Sequence, residues 1–329
     1  LQFSQRSRRE RLEPCYHQTK LANTASHRPD GAQMPSPASV FRTDLFAGKT
    51  AIVTGGGTGI GFQVARELLA LGCEVFICSR KQAKLDAAVA ALTTAACAGR
   101  VHALVCNVRN EQEVCAFVEA VVAKKGRIDH LVNCAGGQFI SEADSLSAKG
   151  FKAVVEVNLI GTFQVCREVF AQSMREHGGS IVSVTMVTHN GLPRMSHSGA
   201  ARAGVDNLAK SLAIEWASSG VRINTVAPGV IFTQSGFDNY GPMGQTMLEA
   251  MGPAIPFKRL GTAEEVSAAA VFLLSEGAAY TSGATFLVDG ALGLCGYPFP
   301  MADTGEVCNF PVYGDESVLP PEAVLRAKL

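Results

Sequence analysis

Directly after the apolar run Lys49-Thr-Ala-Ile-Val-Thr54, the chain reads Thr54-Gly-Gly-Gly-Thr-Gly-Ile-Gly61. Glycines crowded between a strand and a helix carry chemistry. Gly55 permits a tight turn, and Gly59, Ile60 and Gly61 bring backbone amides to a diphosphate at the helix N-terminus. The next apolar run ends in Ser79-Arg80-Lys81. A dinucleotide with a free ribose 2′-hydroxyl wants an acid there to accept from it. A hydroxyl and two cations suit a 2′-phosphate instead, held bidentately or by charge. These residues point to NADP(H) as cofactor, against the plainer alternative of two solvated cations at a helix start.

Positioning such groups requires a particular set of elements. Short apolar runs recur at 50–54, 73–78, 101–106, 129–134, 179–185, 221–227 and 284–288, nearly continuous in Val, Ile, Leu and Cys. Strands covered on both faces read this way. Helical stretches near 60–71, 81–96, 110–125, 148–176, 200–219 and 263–275 fill the gaps. The last opens on Thr262-Ala-Glu-Glu265, a capping-box pattern. The alternation predicts an α/β fold: a doubly wound, Rossmann-type, seven-stranded parallel sheet in a single domain with a short substrate-loop insertion. Ligands of such sheets bind at the strands' carboxyl ends, where the glycine turn and Ser79–Lys81 both fall.

Composition narrows the function. The 329 residues carry 29 Lys+Arg and 29 Asp+Glu, a formal charge of zero, which argues against a nucleic-acid binder that works by phosphate neutralisation. With 47% apolar and 18% charged residues, the chain is not wholly disordered, and no apolar run approaches a membrane span. The ten cysteines form no CxxC and sit mostly in apolar runs, as buried thiols of a reducing compartment do. The seven histidines make no metal-ligand pattern. Residues 1–45 are polar and aperiodic and are expected to be a disordered leader, with the catalytic domain at 46–292 and a tail at 293–329. Either Met34 is the natural start and 1–33 lies upstream of it, or the Arg-rich leader is a transit peptide. The tail ends Ala327-Lys328-Leu329, a variant of the Ser-Lys-Leu peroxisomal address. The expected partner is therefore the peroxisomal import receptor, and the expected location the peroxisome.

Residues 46–292 resemble the short-chain dehydrogenase/reductase family. The motifs are Thr54–Gly61, Asn133-Cys-Ala-Gly136, Asn158 within Val157-Asn-Leu-Ile-Gly-Thr-Phe163, and Pro228-Gly229 with Thr233. The resemblance implies that Asn133, Ala135 and Gly136 line the adenosine side of the cofactor. Pro228, Gly229 and Thr233 would hold its nicotinamide end. Asn107-Val108, where the family usually has Asp-Val, would lie beside adenine. Dimers or tetramers through helices 148–176 and 200–219 are implied as well.

The family's signature is Tyr-x-x-x-Lys with a serine upstream. Here Ser198-Gly-Ala-Ala-Arg202 stands in that place, Thr185 or Met186 replaces the upstream serine, and Asn158 alone remains of the tetrad. Carbonyl reduction needs an acid for the alkoxide, and a serine hydroxyl is too weak an acid for it. Hydride addition to the β carbon of an enoyl thioester is less demanding, because the charge on the thioester oxygen need only be stabilised. Ser198 fits that duty, with Arg202 at the charge and cofactor ribose and Asn158 ordering water. Gly136-Gly-Gln-Phe139, Glu176-His-Gly-Gly-Ser-Ile181, His197–Gly204 and Asn239-Tyr-Gly241 look like the peroxisomal trans-2-enoyl-CoA reductase branch. That branch implies NADPH-dependent reduction of trans-2-enoyl-CoA to saturated acyl-CoA in fatty acid metabolism, with Gln138, His197 and Tyr240 at the acyl-CoA substrate. His197 would be an enolate donor, an orienter of Ser198, or a histidine packed under the substrate loop. Tyr240 would be a mobile donor or an aromatic wall. Two rival readings stand: a 2,4-dienoyl-CoA reductase, whose expected extra tyrosine is missing from Thr185–Asn190, and a catalytically silent NADP-binding homologue.

Overall fold

The computed structural model describes residues 41–94, 97–188, 190–238, 251 and 255–295, all within one unit, 37–329. The runs that read as strands form β1 (Thr50–Thr54), β2 (Glu74–Ser79), β3 (Val101–Val105), β4 (His130–Asn133), β5 (Gly179–Val184), β6 (Val221–Pro228) and β7 (Thr285–Val288). They make one parallel sheet in the order β3-β2-β1-β4-β5-β6-β7. The chain builds outward from β1 to β3 and then returns to β4 on β1's other side. The crevice between β1 and β4 is therefore the topological switch point, where ligands of this architecture sit.

Helices α1 (Gly59–Ala70), α2 (Gln82–Leu92) and α7 (Ala263–Leu274) cover one face. Their Val64, Leu85 and Val266 pack with Ala51, Val53 and Ile77 of the strands. The other face is covered by α3 (Glu111–Lys125), α4 (148–177) and α5 (Ser196–Glu215), whose Val114, Val165 and Ala209 pack with Ile52, Phe76 and Leu131. Side chains alternate between the two faces along each strand. Both sets are buried, which is why the strands read as unbroken apolar runs.

Several expectations need correction. Continuous burial fails at the edges: β3 is partly covered, and on β7 Phe286 and Leu287 are 43% and 40% exposed. An edge strand lacks a neighbour and its flanking helix on one side. The fold also begins before 46, since Phe41 and Leu45 pack against the core beside Phe46. The predicted helix 148–176 is continuous but mixed. Its α-helical parts Ala148–Val155, Gly161–Val169 and Arg175–His177 alternate with wider π-type turns at Glu156–Ile160 and Phe170–Met174; together they are α4. The helix predicted from 200 starts at Ser196, with no side chain capping it. The backbone of Arg194, at φ 64°, turns the chain just before it. A cap made by geometry rather than by Ser, Thr, Asp or Asn leaves no sequence signal. The eight described cysteines are free thiols, most of them buried, with Cys115 and Cys295 exposed. No helix among the described residues is long and apolar enough to cross a membrane. A short helix, α6 (Gln234–Asp238), follows β6.

Candidate active site

A cavity of about 810 Å³ opens along the carboxyl ends of the strands. Its floor begins at the β1–α1 turn, where Gly55 and Gly59 adopt φ values of 68° and 58°, conformations that glycine takes without strain. A Cβ on Gly55 would stand 2.9 Å from the backbone of Cys134 and Ala135. Thr54 Oγ1 accepts the amides of those same two residues at 3.1 Å, which fastens the β1 turn to the end of β4. Gly61 has another role than the one expected. It is buried, and a Cβ there would lie 2.6 Å from the carbonyl oxygen of Gly55. It lets α1 seat tightly on the turn, while Gly55, Gly59 and Ile60 face the cavity.

One end of the cavity is cationic. Ser79, Arg80 and Lys81 line it, joined by Lys84 from the first turn of α2. The Ser79 hydroxyl accepts the Lys81 amide at 3.3 Å. Asn107 and Val108 also line this end. The Asn107 Oδ1 is turned back to the amide of Arg109 at 3.3 Å, so the acceptor oxygen expected at adenine is engaged within its own loop. Buried thiols sit beneath. Cys78 is raised by its hydrogen bond to Cys106 and by burial, whereas the same hydrogen bond lowers Cys106. Asn133 does not face the cavity; its Nδ2 donates to Ser183 Oγ at 3.2 Å and bonds Cys166 Sγ at 3.2 Å, tying β4 to β5 and α4. The glycine cradle, the cation cluster and the volume of the cavity fit a dinucleotide.

The other end holds the residues of the departed signature. Arg202 lines the cavity, and its guanidinium donates to the Val184 carbonyl oxygen. A Cβ on Gly136 would meet Arg202 Nη2 and Asn158 Oδ1, each at 2.5 Å, so glycine is required there. Burial lowers the Arg202 pKa, against the opposing pull of Cys134 and Asp206. Burial also pushes the Cys134 thiol up to about 11, with Arg202 pulling it down. Asp206, one turn after Arg202, accepts the hydroxyls of Thr225, Thr185 and Thr285 at 2.7, 3.3 and 3.4 Å. Ala135, Gly136, Pro228, Gly229 and Thr233 line the same cavity, as does Gln138.

Ser198 is not where the sequence reading put it, whereas His197 is packed against the loop, one of the alternatives left open for it. Both are 0% exposed, because the helix begins early and carries them into its first turn. Ser198 Oγ donates to Gln138 Oε1 at 2.8 Å and lies 3.7 Å from Met186 Sδ. Gln138 and Met186 are among the cavity's lining residues, and Ser198 is not. His197 Nδ1 accepts the Ser198 amide at 2.8 Å, and its ring meets Phe139 edge to face. Asn158 holds Gly137 through both ends of its amide and also donates to the Val154 carbonyl oxygen, at 2.9 Å for the latter. Tyr240 lies outside the described residues. Among the described lining residues, sequence reading missed Lys84 and an apolar wall of Leu192, Met195, Met251 and Leu292. The spacing of Lys84 from Lys81, one helical turn, was the available signal for the first.

Comparison with known proteins bears on this geometry. The sequence model of a family described as Enoyl-(Acyl carrier protein) reductase matches residues 55–292. The chain is 36% identical over 258 residues to a peroxisomal 2,4-dienoyl-CoA reductase, (3E)-enoyl-CoA-producing, of Danio rerio, covering 78% of this chain and 85% of that one. Its likeness to the Rattus norvegicus protein of the same name is 38% over 253 residues, covering 76% and 86%. Among solved structures, a citronellol catabolism dehydrogenase from Pseudomonas aeruginosa PAO1 matches with a TM-score of 0.69 at 45% identity, over 78% of this chain and 99% of that chain.

Proposed function

Because the chain belongs to the short-chain dehydrogenase/reductase family, whose members work with a nicotinamide cofactor, we propose that it is an oxidoreductase reducing trans-2-enoyl-CoA thioesters with NADPH. The observation that carries this reading is the pair Ser198 and Arg202 in place of an acidic tyrosine and its lysine, with Ser198 bonded to Gln138 and Arg202 lining the cavity. Such a site can stabilise charge on an oxygen and is poorly equipped to give that oxygen a proton. NADPH, when bound, supplies the hydride. The amides of the Gly55–Ile60 turn would hold its diphosphate, and Arg80, Lys81 and Lys84 its 2′-phosphate. Pro228, Gly229 and Thr233 would flank the nicotinamide end. Arg202 lies over Gly136, where its fixed charge serves the cofactor ribose and the developing enolate. Leu192, Met195, Met251 and Leu292 offer the acyl chain an apolar wall, and the α carbon takes its proton from water.

A second reading has an observation in its favour. The names of the curated relatives point to 2,4-dienoyl-CoA reduction, in which hydride adds further along the conjugated chain while charge still collects on the thioester oxygen. The test is NADPH oxidation with crotonyl-CoA, trans-2-decenoyl-CoA and a 2,4-decadienoyl-CoA, alongside citronellol with NADP⁺. Turnover of the 2-enoyl thioesters is expected. Turnover of the dienoyl thioester alone would install the second reading, and citronellol oxidation alone would defeat both. NADPH binding without any turnover would leave a silent homologue.

The same proposal places the protein in peroxisomes. The relatives' names support this; the Ala327-Lys328-Leu329 tripeptide lies outside the described residues. We further propose a dimer or tetramer built on α4 and α5, whose Phe151, Ile160, Phe163 and Ile214 are exposed apolar residues.

A further inference from the structure

The loop after β5 enters α5 through Leu192-Pro193-Arg194-Met195. The Met195 N–H donates to the Leu192 carbonyl oxygen at 3.1 Å, and Arg194 stands at φ 64°. A four-residue turn closed in this way, with proline second and a positive φ third, ordinarily takes glycine as its third residue. An arginine is held there against the clash of its own Cβ with the backbone. Two contacts fasten it, both to the loop after β4. The Arg194 carbonyl oxygen accepts the Ser141 N–H at 2.9 Å, and the Arg194 Nε pairs with Glu142 Oε1 at 2.8 Å. The two ends of the turn, Leu192 and Met195, line the cavity, whereas Arg194 does not. Leu192 also sits close on α5, since a Cβ on Gly199 would stand 3.1 Å from the Leu192 Cβ.

We propose that Arg194 is a positioning residue that sets the acyl-chain preference: its bond to Glu142 clasps the turn in a glycine-like conformation and so keeps Leu192 and Met195 on the apolar wall. The inference rests on the thioester-reductase reading above. An L-residue at positive φ returns to negative φ when nothing holds it. Such a flip reorients the peptide planes on either side of residue 194 and carries Leu192 and Met195 out of place. Glycine has no preference of that kind, so a turn with glycine at 194 keeps its shape without a clasp. The device therefore has two separable parts. Glu142 supplies the hold, and the Cβ of Arg194 creates the need for one.

The experiment takes the ratio of kcat/KM for trans-2-decenoyl-CoA to that for crotonyl-CoA. It compares the wild type with Glu142→Ala, Arg194→Ala, Arg194→Gly and the double variant E142A/R194G. NADPH binding followed by fluorescence shows that each variant is folded. A methylene that loses its apolar wall costs about fourfold in binding. The ratio should therefore fall by about fourfold or more in E142A and in R194A, through the KM for the longer substrate. R194G and the double variant should keep the ratio within about twofold of wild type, because glycine holds the turn unaided. Thermal melting gives a second readout: R194A should melt below wild type and R194G no lower than it, since only glycine relieves the backbone. An unchanged ratio in E142A would overturn the proposal. So would a double variant as poor as E142A alone, which would make Glu142 a substrate contact and not a clasp. If the wild type reduces only dienoyl thioesters, the same ratio is taken with 2,4-decadienoyl-CoA and 2,4-hexadienoyl-CoA. Sustained turnover with a ratio indifferent to all four variants defeats this inference alone. No turnover of either class of thioester defeats the proposed function and this inference with it.

Discussion

Residues set the cofactor preference and most of the chemistry. Arg80 and Lys81 follow a strand end, and that placement made them legible. Lys84 did not stand out, because a cation one turn into a surface helix reads the same whether it binds phosphate or only water. All three line one end of the cavity. Replacing Arg80 and Lys81 together with Ala should raise the KM for NADPH by tenfold or more, about 1.4 kcal/mol or above, while leaving that for NADH within about twofold. Steady-state titration of both cofactors checks it, and equal losses for the two would remove the phosphate role. The loss of Tyr and Lys at positions 198 and 202 was also plain in the sequence. What Ser198 touches was not, since its hydrogen bond to Gln138 spans 60 positions. No local spacing announces a partner so far away.

At the scale of elements, the strands were legible to within a residue or two because burial on both faces leaves unbroken apolar runs. Where burial lapses, at β3 and β7, the pattern overstated it. The wide turns in α4 left no mark either, although one of them carries Asn158. The glycines separate by what they pack against. A Cβ on Gly61 would press on the Gly55 carbonyl oxygen at 2.6 Å, whereas one on Gly57 would find its nearest neighbour, the Lys84 backbone, at 3.7 Å. Gly61→Ala should therefore destabilise the protein by about 1–3 kcal/mol, through the seating of α1 on the sheet. Gly57→Ala should stay within about 0.5 kcal/mol of wild type. Urea unfolding of the pair decides, and equal effects would show that α1 has room to shift.

For the molecule as a whole, neutral net charge conceals groups whose ionisation the fold resists. His130 opens β4 and is buried beside Phe46, with its Nδ1 bonded to Ser180 at 2.8 Å. Desolvation lowers its pKa from 6.5 to about 4, against the raising influence of Asp129. Between those values the unfolded chain binds a proton that the folded protein refuses. The stability contributed by the neutral ring is complete above pH 6.5 and is lost as pH falls toward 4. At pH 4.5 the loss should reach about 2–3 kcal/mol. Urea unfolding at pH 7 and 4.5 should show His130→Gln losing less than wild type by that amount. Parallel losses in the two proteins would place the acid sensitivity elsewhere. Glu265, held down to about 2 chiefly by its hydrogen bond with Arg259, enters only below that range.

The grip on residues 137–139 also bears on how the cavity keeps its shape. Its three anchors stand on α4 and α5, far along the chain from the loop they hold. A shift of either helix is therefore felt directly in the loop that lines the cavity. The shape of that wall is thus written in two helices as much as in the loop itself.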